Sequence, residues 1–239
     1  MSEGASYPLF CPVAMAADMI EPRWTLLILS EMWSGSTRFS QIHRGVPGMS
    51  PALLSKRLRD MQAKGLVQRE SSSRGAHAEY VTTPIADGLK PIVELLGRWA
   101  HENVDSSVSL RELDARMLMW NLRRKINQME LPLRNCVIQF TLNEVSKPAV
   151  LYWVVIKPGS EPDLCSTNPG FNVDLFIVCD LRSLTSAWIG HTTFHSEIKA
   201  GRIALIGHSG LARTMTKWMV RSCYATMDEE AAPERADAA

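Results

Sequence analysis

The sequence predicts an α+β fold class in two successive units: a helical unit closed by a hairpin, then a unit with a sheet and helices. Three observations carry this. Across residues 11–103, Pro, Gly and Ser divide the chain into four short helical segments, two strand-like runs and a longer helix. Beyond residue 110, four apolar runs of strand length are separated by polar breaks and helical stretches. The length of 239 residues suits two modest domains better than one large one.

Each element has a local reason. Pro12 suits the first turn of a helix over 12–20, and Pro22 ends it before a second helix over 23–32 with apolar Trp24, Leu27, Ile28 and Met32. Gly35 and Ser36 stop that helix, and a brief third helix covers 39–44. After the turn 45–48, Ser50 is an N-cap and Pro51 the first residue of a fourth helix, which Gly65 closes as a left-handed cap near Lys64. Strands over 66–70 and 78–83 flank a polar loop, 71–77, and Pro84 opens a helix reaching about residue 103. Such an order of helices and hairpin describes a winged helix-turn-helix.

The second unit reads as a helix over 112–128, strands over 135–142, 149–157, 173–179 and 203–206, and helices over 181–188, 193–199 and 209–222. The expected boundaries are 1–105 for the winged helix-turn-helix domain, 106–109 for a linker and 110–225 for an α+β domain. The Ala-, Glu- and Asp-rich stretch 226–239 is expected to be a disordered tail.

Composition excludes several classes of function. Lys and Arg total 26 against 25 Asp and Glu, so bulk charge holds no acidic partner. The longest apolar run, Ala149 to Ile156, is far short of the roughly 20 residues of a membrane span, and no basic-then-apolar leader opens the chain. No membrane association is expected, and the expected location is the cytoplasm. Five widely spread cysteines without a C-x-x-C pair indicate neither a disulfide framework nor a zinc site, and most are read as core residues. No cofactor and no metal are expected, since neither G-x-G-x-x-G nor a phosphate-loop pattern occurs. His191 and His195 are four apart, but Gly190, Thr192 and Thr193 disfavour a continuous helix there, and both are read as surface histidines. Gly207-His208-Ser209-Gly210-Leu211 approaches a nucleophile elbow, but its last position is Leu211, and no histidine follows His208 to complete a triad. The chain is therefore not expected to be an enzyme.

The neutral average conceals a local patch. From Arg38 to Arg74 there are eight basic residues and two acidic ones, a net +6 over 37 residues. Advancing about 100° per residue along the fourth helix puts Leu53, Leu54, Leu58 and Met61 on one face and Ala52, Ser55, Lys56 and Arg59 on the other. Small and basic groups on an exposed face suit a helix lying close to the floor of a DNA major groove. Arg57 falls to the side and reads as an internal ion-pair partner. The loop 71–77, with its hydroxyls, Gly75, Arg74 and His77, suits phosphate or minor-groove contact.

From Cys11 to about Asp105 the sequence resembles the HxlR-type winged-helix transcriptional regulators of prokaryotes. The residues that carry this are Cys11-Pro12-Val13, Arg23-Trp24-Thr25-Leu26-Leu27-Ile28-Leu29, Arg38-Phe39-Ser40-Gln41-Ile42, Pro47-Gly48-Met49-Ser50-Pro51, Leu54-Ser55-Lys56-Arg57-Leu58, Gly65-Leu66-Val67 and Tyr80-Val81-Thr82. The resemblance implies a homodimer on double-stranded operator DNA, with the first helix and the 84–103 region in the dimer contact. It also implies that Ser50, Ser55, Lys56 and Arg59 read the groove and Arg74 the backbone. Ala52, Arg38 and His77 complete the expected DNA-facing set. Repression is the family habit. Some members sense oxidants through a cysteine matching Cys11, so Cys11 is open to two readings, redox sensing at a helix N-terminus or packing.

The second half, about 110–219, looks like the sterol-carrier-protein-like ligand-binding fold, on Val173-Asp174-Leu175, Asp180-Leu181-Arg182-Ser183-Leu184-Thr185, Trp188-Ile189-Gly190 and Lys199-Ala200-Gly201-Arg202-Ile203 with Gly207. That fold implies an apolar tunnel between a sheet and its helices. Trp120, Trp153, Phe171, Trp188 and Trp218 are candidates to line it around a small apolar or aromatic ligand, core packing being the other reading. The rival function is a ligand carrier whose winged helix serves only for oligomerisation.

Overall fold

The computed structural model describes residues 10–71, 78–144 and 147–225. They fall into two compact units that divide between Arg98 and Trp99.

The first unit runs α1 (Pro12–Ile20), α2 (Thr25–Trp33), α3 (Phe39–Gly45), α4 (Pro51–Ala63), β1 (Val67–Ser71), β2 (Ala78–Thr82), α5 (Pro84–Asp87) and α6 (Lys90–Asn103), the last crossing the division. Its core is a small cluster in which Ile28, Leu29, Ile42, Leu54, Leu58 and Leu66 are fully buried. The expected second helix starts two residues late because Trp24 takes a left-handed φ of 85°. Strain of this kind costs on the order of 1–3 kcal/mol and persists only where surroundings hold it. Here the indole packs on Gly48, where an added Cβ would approach the ring to 3.0 Å, so Trp24 meets the turn joining α3 to α4.

β1 and β2 pair antiparallel from Val67 opposite Thr82 to Ser71 opposite Ala78. The chain before α3 joins the hairpin: Tyr80 N donates to Thr37 O at 2.7 Å, and Arg38 bridges Glu79. At the hairpin base, Thr83 Oγ1 donates to Gly65 O at 2.6 Å. The single helix expected from Pro84 is two. Leu89 N donates to Ala86 O in a tightened turn, and Pro91, lacking an N–H, is accepted only in the first turn of α6.

The second unit adds α7 (Ser106–Ser109), α8 (Ala115–Arg124), a 3₁₀ turn (Gln128–Glu130), β3 (Cys136–Glu144), β4 (Lys147–Ile156), β5 (Asp163–Cys165), β6 (Leu175–Asp180), α9 (Leu181–Ile189), α10 (Phe194–Lys199), β7 (Ile203–Gly207), α11 (Ser209–Arg213) and α12 (Met215–Trp218). The sheet order is β5-β4-β3-β6-β7, with β3 and β6 parallel and every other neighbouring pair antiparallel. Alternation along the strands splits the side chains cleanly. Cys136, Ile138, Phe140 and Leu142 of β3, with Tyr152, Val154, Ile156, Leu175, Ile177 and Cys179, enter one core with residues of α8–α12. The other face carries a smaller cluster, Val137, Trp153 and Val155, packed with Cys165 and Val173.

Several expected boundaries are corrected. Residues 106–109, expected as a linker, take the form of the helical turn α7, which leaves the expected domain bounds as they were. The helix expected over 112–128 is shorter because Asp114 caps it, accepting from Arg116 N at 2.8 Å and Met117 N at 3.1 Å, and because the chain passes into the 3₁₀ turn. The helix expected over 209–222 is two short ones; Thr214 Oγ1 bonds back to Gly210 O at 3.0 Å, and Met219 leaves the helix to bridge Ile126. The three-residue strand β5 has no sequence signal of its own. The tail 226–239 lies outside the described residues, and no helix among them is long and apolar enough to cross a membrane.

Candidate nucleic-acid interface

Helix α4 is held by its start and its inner face. Ser50 Oγ accepts from Leu53 N at 3.3 Å, so the hydroxyl expected to face DNA is also the N-cap; its own hydrogen remains a donor. Leu54, Leu58 and Met61 are buried in the core, which turns Ala52, Lys56 and Arg59 outward and leaves Ser55 half-buried beside them. Arg59 Nη1 donates to Ser55 Oγ at 3.0 Å, one turn back, steadying the guanidinium while its other donors stay open. Lys56 has no hydrogen bond or ion pair among the described residues. Arg57 pairs with Asp60, Nη1 to Oδ2 3.3 Å, in keeping with its place at the side of the helix.

Arg38 sits elsewhere, at the start of α3, with Nε 3.5 Å from Glu79 Oε1 on β2. The pair is solvent-accessible, so it adds little stability and leaves Arg38 free to turn toward another anion. Gln41 Oε1 accepts from the backbone N–H groups of Thr37 and Arg38, at 3.2 and 3.1 Å. The signal for this supporting role is Arg38-x-x-Gln41, since a Gln three residues into a helix commonly reaches back to its start. Arg69, one of the eight basic residues of the patch, is exposed on β1. Arg74 and His77 lie outside the described residues.

The other candidates separate. Cys11 is half-buried at the N-cap of α1, and its carbonyl accepts from Met15 N at 3.0 Å. Burial pushes the Cys136 and Cys165 thiols up and takes Cys179 to about 12, which suits packing and not reactivity. The five aromatic residues expected around one tunnel are not brought together. Trp218 is fully buried on the helix side of the sheet, its Nε1 donating to Leu211 O at 2.9 Å, and Trp188 packs on that core. Trp153 is on the opposite face, where Phe171 is exposed. Trp120 is buried under two guanidinium groups, Arg123 at 3.8 Å and Arg124 at 4.7 Å from its ring centre. For Trp153 the cause is strand alternation, which puts it on the face opposite its β4 neighbours Tyr152 and Val154.

The family model of the HxlR-like helix-turn-helix matches residues 19–108. The HTH-type transcriptional regulator YvaP of Bacillus subtilis (strain 168) is 34% identical over 99 residues, 41% of this chain and 92% of that protein. This chain belongs to the HxlR-like helix-turn-helix family. It is thereby a transcriptional regulator of that class. A second relative from Bacillus subtilis (strain 168), the HTH-type transcriptional regulator YybR, is 31% identical over 102 residues, covering 42% of this chain and 82% of its own. Among solved structures, the redox regulator HypR in its oxidized form is 31% identical, with 40% of this chain and 99% of that chain covered at a TM-score of 0.37. The family match ends at residue 108, before the sheet of the second unit.

Proposed function

We propose that this HxlR-family chain binds a pseudo-palindromic operator as a homodimer, represses from it, and is controlled by a small ligand held in the second unit. The observation that carries the DNA reading is the outward side of α4, where Ala52, Ser55, Lys56 and Arg59 stand opposite Leu54, Leu58 and Met61. A small residue lets the backbone approach the groove floor, and the hydroxyl, ammonium and guanidinium groups match base-edge acceptors and phosphates. Arg38 and the hairpin loop with Arg74 and His77 supply backbone contacts in this reading. The dimer reading is supported by α6, none of whose residues is buried, and whose Ile92, Leu95, Leu96 and Trp99 are about half or more exposed in one chain. A second copy laid against this face buries what a lone chain leaves wet, and spaces two α4 helices about 34–36 Å apart, one turn of DNA. The second unit is read as sterol-carrier-like, supported by a mixed sheet with its main core on one face. Ligand control requires that the bound and free forms hold the operator with different energies.

The test is binding of the full chain to a duplex selected from a random library, followed by fluorescence anisotropy over a salt series. Lys56→Ala with Arg59→Ala should weaken binding by about tenfold to hundredfold and flatten the salt slope by about one for each phosphate no longer neutralised. If affinity and slope both survive the double substitution, α4 is not the reading helix.

A further inference from the structure

The face of the sheet turned away from the main core holds a cavity of about 310 Å³, lined by Arg134, Asn135, Val137, Val155, Lys157, Phe171, Asn172 and Asp174. Its floor is a single cross-strand pair, Val137 of β3 opposite Val155 of β4, both buried. Its wall is the chain leading into β6, clamped to β3 by two bonds. Asp174 N donates to Val137 O at 2.9 Å, and Val137 N donates to Asp174 Oδ2 at 2.9 Å. The clamp sets Phe171, 53% exposed, at the rim.

The charges of the lining do not cancel. Asp174 is fully engaged, since its other oxygen accepts from Arg134 Nη1 at 2.8 Å. Lys157 is exposed and has no ion-pair partner among the described residues. Arg134 uses Nη1 for Asp174 and for Asn135 O at 2.9 Å, which leaves guanidinium donors over. Within the lining a net single positive charge, open donors, two side-chain amides, an apolar floor and an aromatic rim thus meet in one concavity, with Asp163, opposite Val155, as the acid beside it. Exposed aromatic and cationic groups converging on buried apolar side chains are the composition of a site for an amphiphilic anion. The volume lies at the lower end of the range for ligand sites, about 300–1,000 Å³, which suits a compact body and not a long acyl chain.

We propose that this cavity binds a small monocarboxylate with a compact apolar or aromatic body, the carboxylate on Lys157 and the free donors of Arg134, the body between Val137, Val155 and Phe171. The assignment deepens the ligand-control reading and moves the ligand to the sheet face opposite the tunnel that the sterol-carrier resemblance implied. It does not depend on DNA binding.

The experiment is isothermal titration of the full chain, without DNA, using phenylacetate and its neutral counterpart phenylacetamide. Saturable binding of phenylacetate is expected, with the amide weaker by about tenfold or more because the charge-assisted bonds are lost. Lys157→Gln should remove that preference, and Phe171→Ala should weaken both ligands; both positions are exposed, so the fold is retained, as thermal unfolding would confirm. No saturable binding, equal binding of acid and amide, or a preference that survives Lys157→Gln overturns the assignment. An anisotropy measurement on the selected duplex with and without phenylacetate then separates the readings: binding at the cavity without any change in operator affinity leaves the site standing and removes its regulatory role.

Discussion

The two units differ in what they leave uncovered. The first has a small core, and α1 and α6 contribute no buried residue to it; Leu95 and Trp99 of α6 are 61% and 58% exposed. The second buries most of its large side chains in one continuous cluster, with Phe140 and Trp218 almost wholly inside. Apolar surface removed from water is worth roughly 25 cal/mol per Å². A unit that exposes a whole amphipathic helix therefore gains stability from association, whereas a layered sheet unit gains it alone. Shape follows the same division: the proposed DNA-facing side of the first unit is a convex helix, and the proposed ligand site of the second is a concavity on a sheet.

The largest effect expected from this contrast is in the cores. Phe140→Ala should destabilise the second unit by about 3–5 kcal/mol and Leu58→Ala the first by about 2–5 kcal/mol. In urea unfolding followed by circular dichroism, each substitution should shift its own transition, and a common shift of one transition by both would show that the units do not unfold separately. Next is the association surface. Leu95→Glu with Trp99→Glu should weaken the proposed dimer by more than tenfold in sedimentation equilibrium, as loss of large interface side chains costs about 2 kcal/mol or more, while leaving the thermal stability of the dissociated chain nearly unaltered. A stability loss as large as that of Leu58→Ala would place this face inside a core instead.

Smaller still is the turn that shapes the second unit. Gly207 has a φ of 128°, and a Cβ there would lie 2.5 Å from Asp174 O, beside the bond from His208 N to that oxygen. Gly207→Ala should cost about 1–3 kcal/mol in the second unit's transition alone. The smallest effect is electrostatic. The Arg202 guanidinium, with Nε 2.5 Å from Glu197 Oε2, holds the buried Glu197 carboxyl below its ordinary value of 4.5. A depressed folded-state value means stability that is fully present above about pH 4.5 and is lost as pH falls through the lower folded value. Melting temperatures across pH should show the gap between the wild-type chain and Glu197→Gln widest above pH 4.5 and narrowing below it; a constant gap would assign Glu197 to packing.

Much of the first unit is legible in the sequence because its signals are local. Ser50-Pro51, Gly65 and the spacing of Leu54, Leu58 and Met61 specify α4 and its outward face within one short stretch, and charge counting finds Lys56 and Arg59 from the same residues. Even the break between α5 and α6, where one continuous helix was expected, has a local mark in Pro91, a proline without an N–H. What escapes local patterns in that unit is long-range, as with Glu79 meeting Arg38 across 41 positions.

In the second unit the sequence by itself determined that four of the strands exist and which side chains alternate along them. Only the tertiary structure decided the order of those strands, the addition of β5 at an edge and the side of the sheet on which each aromatic lies. Strand pairing joins residues far apart in the chain, such as Ile138 with Leu175, and no local pattern encodes which partner is chosen. A period of two states that neighbours face opposite ways, but which way is inward depends on where the helices pack. For that reason the sequence could nominate Trp120, Trp153, Phe171, Trp188 and Trp218 together, and only the fold could divide them between packed clusters and an open cavity.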